Sequence, residues 1–321
     1  MRPFHAVLAG AAFAAFAAAA TAQTFPNKPI RIIVPYAAGG TSDILARQIG
    51  PKLTEAWGQP VIVENRPGAN GNVGADFVAK SAPDGYTLLL TDLGGLVISP
   101  SVYPKLPFDP SKDFSAVVMV SYSPHVLAAH PAQPFNSVPE LIAFAKANPG
   151  KLNFGTPGTG SAQHLAVEWF KTLTGVRLTH VPYRGAAPAL ADLLAGHVQL
   201  MFDNAANALP QIRDGKLRAL AIGAPPRIPE LPGVPAMAEF FPSFMAASWF
   251  SLVAPPKTPP DVAATLSQAI GEALRMPDVS QRLRGLGATP GGGSPAETAV
   301  FVRQETERWR KVIVDAGIKL N

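Results

Sequence analysis

Ile30-Arg31-Ile32-Ile33-Val34-Pro35-Tyr36-Ala37-Ala38-Gly39-Gly40-Thr41-Ser42-Asp43 reads as a buried strand running into a glycine-rich turn. Its shortness and β-branching mark the strand. Beyond the turn, Leu45, Ile49, Leu53 and Trp57 recur at four-residue spacing, and Gly58 stops the helix they predict. Val61–Asn65 and residues 87–91 are further strands. Strands alternating with helices predict an α/β chain with a mostly parallel sheet covered on both faces.

The scheme then repeats. Leu152-Asn153-Phe154-Gly155-Thr156 is a strand, and Pro157-Gly158-Thr159-Gly160-Ser161 is its glycine-rich loop. Ser161 is placed to cap a helix carrying Leu165, Trp169, Phe170 and Leu173, which Gly175 stops. Thr179-His180-Val181-Pro182-Tyr183 is the next strand, with the loop Arg184-Gly185-Ala186-Ala187 behind it. Leu200-Met201-Phe202-Asp203 and residues 217–222 complete a second sheet. Residues 126–130 and 249–254 read as crossings between the two units. Val262, Leu266, Ile270 and Leu274 then mark one late helix, and Phe301, Glu305, Trp309 and Ile313 the last. A chain that crosses, builds a second unit and crosses back makes two lobes with a cleft between. The expected division is 23–124 with 248–321 for lobe 1 and 125–247 for lobe 2, two doubly wound sheets joined by a two-segment hinge. Ligands of such sheets bind beyond the carboxyl ends of the strands.

Composition narrows the function classes. Of 321 residues 47% are hydrophobic, enough for a sizeable core, and only 15% are charged, against about 25% in an average soluble protein. There is no cysteine, which excludes a disulfide scaffold, thiolate zinc sites and a lipoprotein anchor. The net charge of +5 comes from scattered Lys and Arg, which argues against a nucleic-acid binder. Residues 1–22 read as a cleavable export signal: Arg2 and His5 precede an apolar run, and Ala20-Thr21-Ala22 is a cleavage site before Gln23. At about fifteen residues that run is too short for a good membrane span. The mature chain is expected to be soluble, monomeric and periplasmic.

Three strand-to-helix turns, at 37–43, 156–161 and 184–188, combine Gly or Ala with a polar residue and a helix start. Such turns leave backbone N–H groups free at the positive end of a helix dipole. Facing one cleft, they would form an anion site without Lys or Arg. Read singly, each is equally an ordinary capped turn.

Residues 34–43 resemble the opening of the Bug receptors, the extracytoplasmic solute receptors of tripartite tricarboxylate transporters. So do Val63-Glu64-Asn65-Arg66-Pro67-Gly68-Ala69, Pro83-Asp84-Gly85-Tyr86-Thr87-Leu88, Gly160-Ser161-Ala162-Gln163-His164-Leu165, and His180-Val181-Pro182-Tyr183-Arg184-Gly185 with Met201-Phe202-Asp203. The resemblance covers residues 24–321. It implies a type II periplasmic-binding-protein fold, a small carboxylate held between the lobes partly through ordered water, no cofactor, and a membrane permease as partner. It carries ligand binding onto Ala38, Gly39, Gly40, Ser42, Asp43, Thr156, Ser161, Ala187 and Asp203. Two stretches depart from the family pattern, Asp92-Leu93-Gly94 and Leu96-Val97-Ile98-Ser99-Pro100, and both are expected at the distal end of the pocket.

Other chemistries find less in the chain. A hydrolase would want a Gly-x-Ser-x-Gly elbow, and none occurs. No His pair has metal-binding spacing, and the glycines of residues 68–74 lack the dinucleotide-binding order. His164 reads as a helix-start or packing residue, Arg66 as one half of a structural ion pair, and Trp249 as core or pocket lining. Three roles stay open at this level: delivering a carboxylate to a permease, presenting it to a sensor kinase, or a periplasmic hydrolase. The first is favoured, and no catalytic residue is expected.

Overall fold

The structure is a computed structural model that describes residues 25–103 and 105–315. The expected export signal 1–22 and the cut before Gln23 lie outside the described residues. Strand β1 (Ile30–Val34) buries Ile30, Ile32, Ile33 and Val34 completely. At roughly 1.5–3 kcal/mol for each side chain fully withdrawn from water, these residues hold β1 as an interior strand. It pairs in parallel with β2 (Val61–Asn65) and β3 (Thr87–Asp92). Helix α1 (Thr41–Trp57) lays Leu45, Ile49 and Leu53 on this sheet, and Gly58 ends it in the left-handed conformation, as the spacing predicts.

A second parallel set, β5 (Asn153–Thr156), β6 (Thr179–Pro182) and β7 (Leu200–Asn204), forms the other lobe. Two strands join the lobes. Strand β4 runs from Ser115 to Ala129, 15 residues or about 50 Å at 3.3–3.4 Å per residue. Strand β9 (Ala247–Ala254) lies antiparallel to it and to β3. The sheet order is β2-β1-β3-β9-β4-β7-β5-β6, with β8 (Arg218–Ile222) and β10 (Thr289–Gly292) also on β4.

The expectation of mostly parallel pairing therefore fails at the centre, where β4 is antiparallel to β7, β8, β9 and β10. One crossing strand runs out and the other runs back, so they must oppose one another. The first crossing is also longer than residues 126–130 suggest. Pro124 has no N–H to give a ladder, and it stands where β4 exchanges one partner for another: Pro124 is opposite Ala247 of β9, His125 opposite Asn204 of β7. Trp249 belongs to the core. Its Nε1 donates to Glu305 Oε2 at 2.9 Å, and it meets Phe301 edge-on. Arg66 pairs with Glu64 at 2.6 Å and covers the Phe77 ring.

Candidate ligand-binding cleft

Each strand-to-helix turn is built by its own local chemistry. In the first, Gly39 takes φ +86°, a region open to glycine. Gly40 is extended and caps α1 with no side-chain hydrogen bond. The first-turn N–H groups of α1 thus lack a side-chain acceptor. Asp43 is spent on the turn itself: Oδ2 accepts from Gly39 N and Arg47 Nε, both at 3.0 Å, and Oδ1 from Asn65 Nδ2 at 3.0 Å. Burial opposes its ionisation, but these bonds outweigh burial and hold the carboxyl below its ordinary value.

The second turn is braced by two imidazoles. Ser161 Oγ accepts from His164 N at 3.2 Å, capping helix Ala162–Thr174. Gly160 N donates to His164 Nδ1 at 3.2 Å, and Thr156 Oγ1 lies 2.6 Å from His180 Nε2. The two rings stack with centroids 3.9 Å apart. Burial holds both well below the usual histidine range: His164 at about 3, helped by the neighbouring charges of His180 and Lys171, and His180 at about 4, helped by Lys171. A folded value below 6.5 means that the native state binds fewer protons, so stability is lost as pH falls from 6.5 toward the folded value. Wild type is expected to lose stability between pH 7 and 4. His164→Asn, whose Oδ1 can still accept from Gly160, should lessen that slope by up to about 1.4 kcal/mol per pH unit. Urea melts at several pH values check it; an unchanged slope would contradict the assignment.

The third turn sets Gly185, φ +123°, before helix Ala186–Leu194, again with no side-chain cap. Gly185 N donates to Pro157 O at 2.9 Å, tying the two turns of this lobe together. A fourth helix start belongs to the same place. Asn204 precedes helix Ala205–Arg213 without a side-chain cap, and its Oδ1 is buried with no protein partner among the described residues.

These turns meet across the lobes. A Cβ on Gly39 would sit 3.6 Å from Ala187 Cβ, and one on Gly40 3.9 Å from Ala186 Cβ. Ala37 N donates to Arg184 O at 3.3 Å, and Tyr103 OH to Thr159 O at 2.9 Å. Between them lies a cleft lined by Tyr36, Gly40, Thr41, Ser42, Asp92 and Phe250 from one side, and by Pro157, Gln163, Ala186 and Asn204 from the other. None of these is Lys or Arg. The space between them is about 20 Å³, the room of one water, and with the rims hydrogen-bonded to each other the lobes stand shut and must part to admit a larger molecule. A larger cavity of about 460 Å³ lies away from these turns, beneath the helix Pro295–Asp315.

Of the residues singled out from sequence, Gly40 and Ser42 line the cleft, and Gly39 and Ala187 face each other at its rim. Ala38 is exposed beside it. Asp43, Thr156 and Ser161 turn their polar atoms into bracing the turns. Asp203 is wholly buried, Oδ1 accepting from Asn204 N at 2.8 Å and Asn207 Nδ2 at 3.1 Å while Oδ2 has no partner among the described residues. Burial pushes it up to about 7. Sequence reasoning missed Tyr36, Gln163, Asn204 and Phe250 as lining. The first three flank the glycine turns or a strand end, which was the available signal; Phe250, on a crossing strand, carried none.

Residues 45–318 match the family described as the Tripartite tricarboxylate transporter family receptor. The chain belongs to this receptor family. BugT of Bordetella pertussis is 41% identical over 300 residues, covering 93% of this chain and 92% of BugT. A periplasmic binding protein, BugD, superposes with TM-score 0.88 at 33% identity, over 92% of this chain and 99% of BugD. MatC from Rhodopseudomonas palustris, solved with bound malate, does so with TM-score 0.86 at 35% identity, over 90% of this chain and all of MatC. An R. palustris structure with adipate reaches TM-score 0.89 at 39% identity, over 92% of this chain and 99% of the other. The family consists of periplasmic solute receptors rather than enzymes, and the two-lobed fold is theirs. No helix among the described residues is long and apolar enough to cross a membrane.

Proposed function

We propose that this receptor captures a small carboxylate between its lobes and delivers it to the membrane permease of a tripartite transporter. The observation that carries the reading is the convergence, from both lobes, of three helix starts without side-chain caps on one cleft that has no Lys or Arg in its lining. Orphan N–H groups and aligned dipoles favour an anion there. The malate and adipate bound by structural relatives support the ligand class, and the family description favours delivery to a permease over presentation to a sensor kinase. The lobes are 23–124 with 248–321, and 125–247. The change of partner along β4 between Pro124 and His125, and the start of β9 at Ala247, support that division. His125 Nε2 meets Ser248 Oγ at 2.9 Å across these two strands, which therefore bend together as the hinge.

A thermal-shift screen of mono-, di- and tricarboxylates tests the reading. A true ligand at 100 times its Kd should add about 2.7 kcal/mol of stability, and scattering should show compaction with it. Absence of any shift across the screen would remove the receptor reading. In the same preparations the exported chain should begin within two residues of Gln23 by intact mass; a retained Met1 would overturn the export signal.

A further inference from the structure

The fold sets Asp92 in the cleft. It ends β3, and its Oδ1 accepts from Tyr36 OH at 2.9 Å and from Gly95 N at 3.0 Å. The next residues place it against the other lobe: a Cβ on Gly94 would lie 3.2 Å from Asp92 Oδ1 and 3.4 Å from Ser161 Cα. Tyr36 measures the cleft. Its Cβ end lies where a Cβ on Gly185 would be 3.4 Å away, beside the uncapped start of helix Ala186–Leu194, and its hydroxyl end is on Asp92. The anion-attracting end and the Asp92 end are therefore separated by the length of a tyrosine side chain.

The Asp92 end is set by the Asp92 carboxyl. Asn70 lies at the same junction, its Nδ2 3.5 Å from the position of a Gly94 Cβ and donating to Ser99 Oγ at 3.4 Å. A second ligand carboxylate brought there would meet like charge in a dry site, and two carboxylates sharing a site repel unless one is protonated. An N–H or O–H group would meet the Asp92 carboxyl as an acceptor.

We propose that this receptor selects a carboxylate whose far end carries a hydrogen-bond donor, an ammonium, amide or hydroxyl, rather than a second carboxylate, and that Asp92 is the residue that makes the distinction. The proposal rests on the carboxylate-receptor reading above. Desolvation raises the Asp92 pKa from its ordinary value; a ligand donor relieves the isolation of the ionised form, and a ligand carboxylate worsens it.

The test is calorimetry on the purified mature protein with sets of matched probes: the diacid, its monoamide and the ω-amino acid of one chain length, at four and at six carbons, with the ω-hydroxy acid as a fourth arm. At least one donor-bearing probe is expected to bind ten-fold or more tighter than the diacid of its length, and the arms show which donor is preferred. Asp92→Asn keeps an oxygen for Tyr36 and Gly95, so the fold is spared. It should bring the diacid within three-fold of the best donor probe. Asp92→Ser, smaller and neutral, should move selectivity the same way and guards against a folding defect in the first variant. Diacids binding tightest in wild type, with no change in either variant, would overturn the role of Asp92 while leaving the receptor reading standing. If no probe binds and the wider carboxylate screen is also blank, both readings fall together.

Discussion

Gly185→Val is expected to lower ligand affinity by at least about 100-fold and to abolish compaction on ligand addition. Gly185 lies at φ +123°, and a Cβ there would stand 3.1 Å from the backbone nitrogen of Ala37 in the opposite lobe. The branched side chain of valine would wedge the rim open at the point where Ala37 N reaches Arg184 O. A ligand gripped by one lobe alone has no preference between open and closed forms, so the second lobe's contacts are lost as a block. Two such charge-assisted hydrogen bonds, at roughly 1.5–3 kcal/mol each, correspond to about 100-fold or more. Gly175→Val separates this from backbone strain, because Gly175 is also left-handed, φ +70°, but has nothing within 4 Å of its Cβ position. It should cost stability and leave affinity within about three-fold. Gly40→Ala is a second control. The Gly40 backbone is extended, and its nearest obstacle is 3.7 Å away, so one methyl fits, whereas the added γ-methyls of Gly40→Val press on Ala186 and Ala187. Calorimetry and small-angle scattering on the four variants read the result; a Gly185→Val protein that binds and compacts like wild type would dismiss the clamp.

That experiment moves weight from Gly40, which the sequence put forward, to Gly185, which it treated as part of a loop. The reason is physical. A glycine-rich turn before a helix is visible locally, because capping and left-handed conformations act over a few residues. Which of its glycines another lobe approaches is decided by the closed arrangement of distant segments. The same division runs through the fold. The parallel units and their turns were legible from β-branched runs and helical spacing. The true length of β4 was hidden by Pro124, and the antiparallel centre by the fact that the direction of a crossing has no local signature. Trp249 stood between core and pocket until Glu305, 56 residues away, settled it. Gly94–Ile98 and Ser99–Val102 are helical in the structure, which the two glycines that open the segment do not announce. Asp92, at the end of a strand, carried no local signal of its own; the fold is what sets its carboxyl in the cleft.

Asp203→Asn is expected to stabilise the protein at pH 8 and to do almost nothing at pH 4. The resemblance carries ligand binding onto Asp203, whereas in the structure its Oδ1 is occupied by Asn204 N and Asn207 Nδ2. The cost lies in Oδ2, buried without a partner. With burial raising the folded pKa to about 7 from 3.8, the native state holds a proton that the unfolded chain gives up. Between those values stability falls as pH rises, and the loss is complete above about 7. Three units at 1.36 kcal/mol each set an upper bound of about 4 kcal/mol, so a gain of about 2–4 kcal/mol is expected for the variant at pH 8. Asparagine keeps an acceptor for Asn204 N and Asn207 Nδ2 and carries no charge at either pH. Because the buried histidines push wild-type stability the other way over the acid range, the difference between variant and wild type is the quantity to follow, by urea melts at pH 4, 6 and 8. A difference that does not grow with pH would mean that Asp203 keeps its charge in the folded protein, with Oδ2 satisfied by water or ligand in the cleft, and would return it from structural ballast to the binding site.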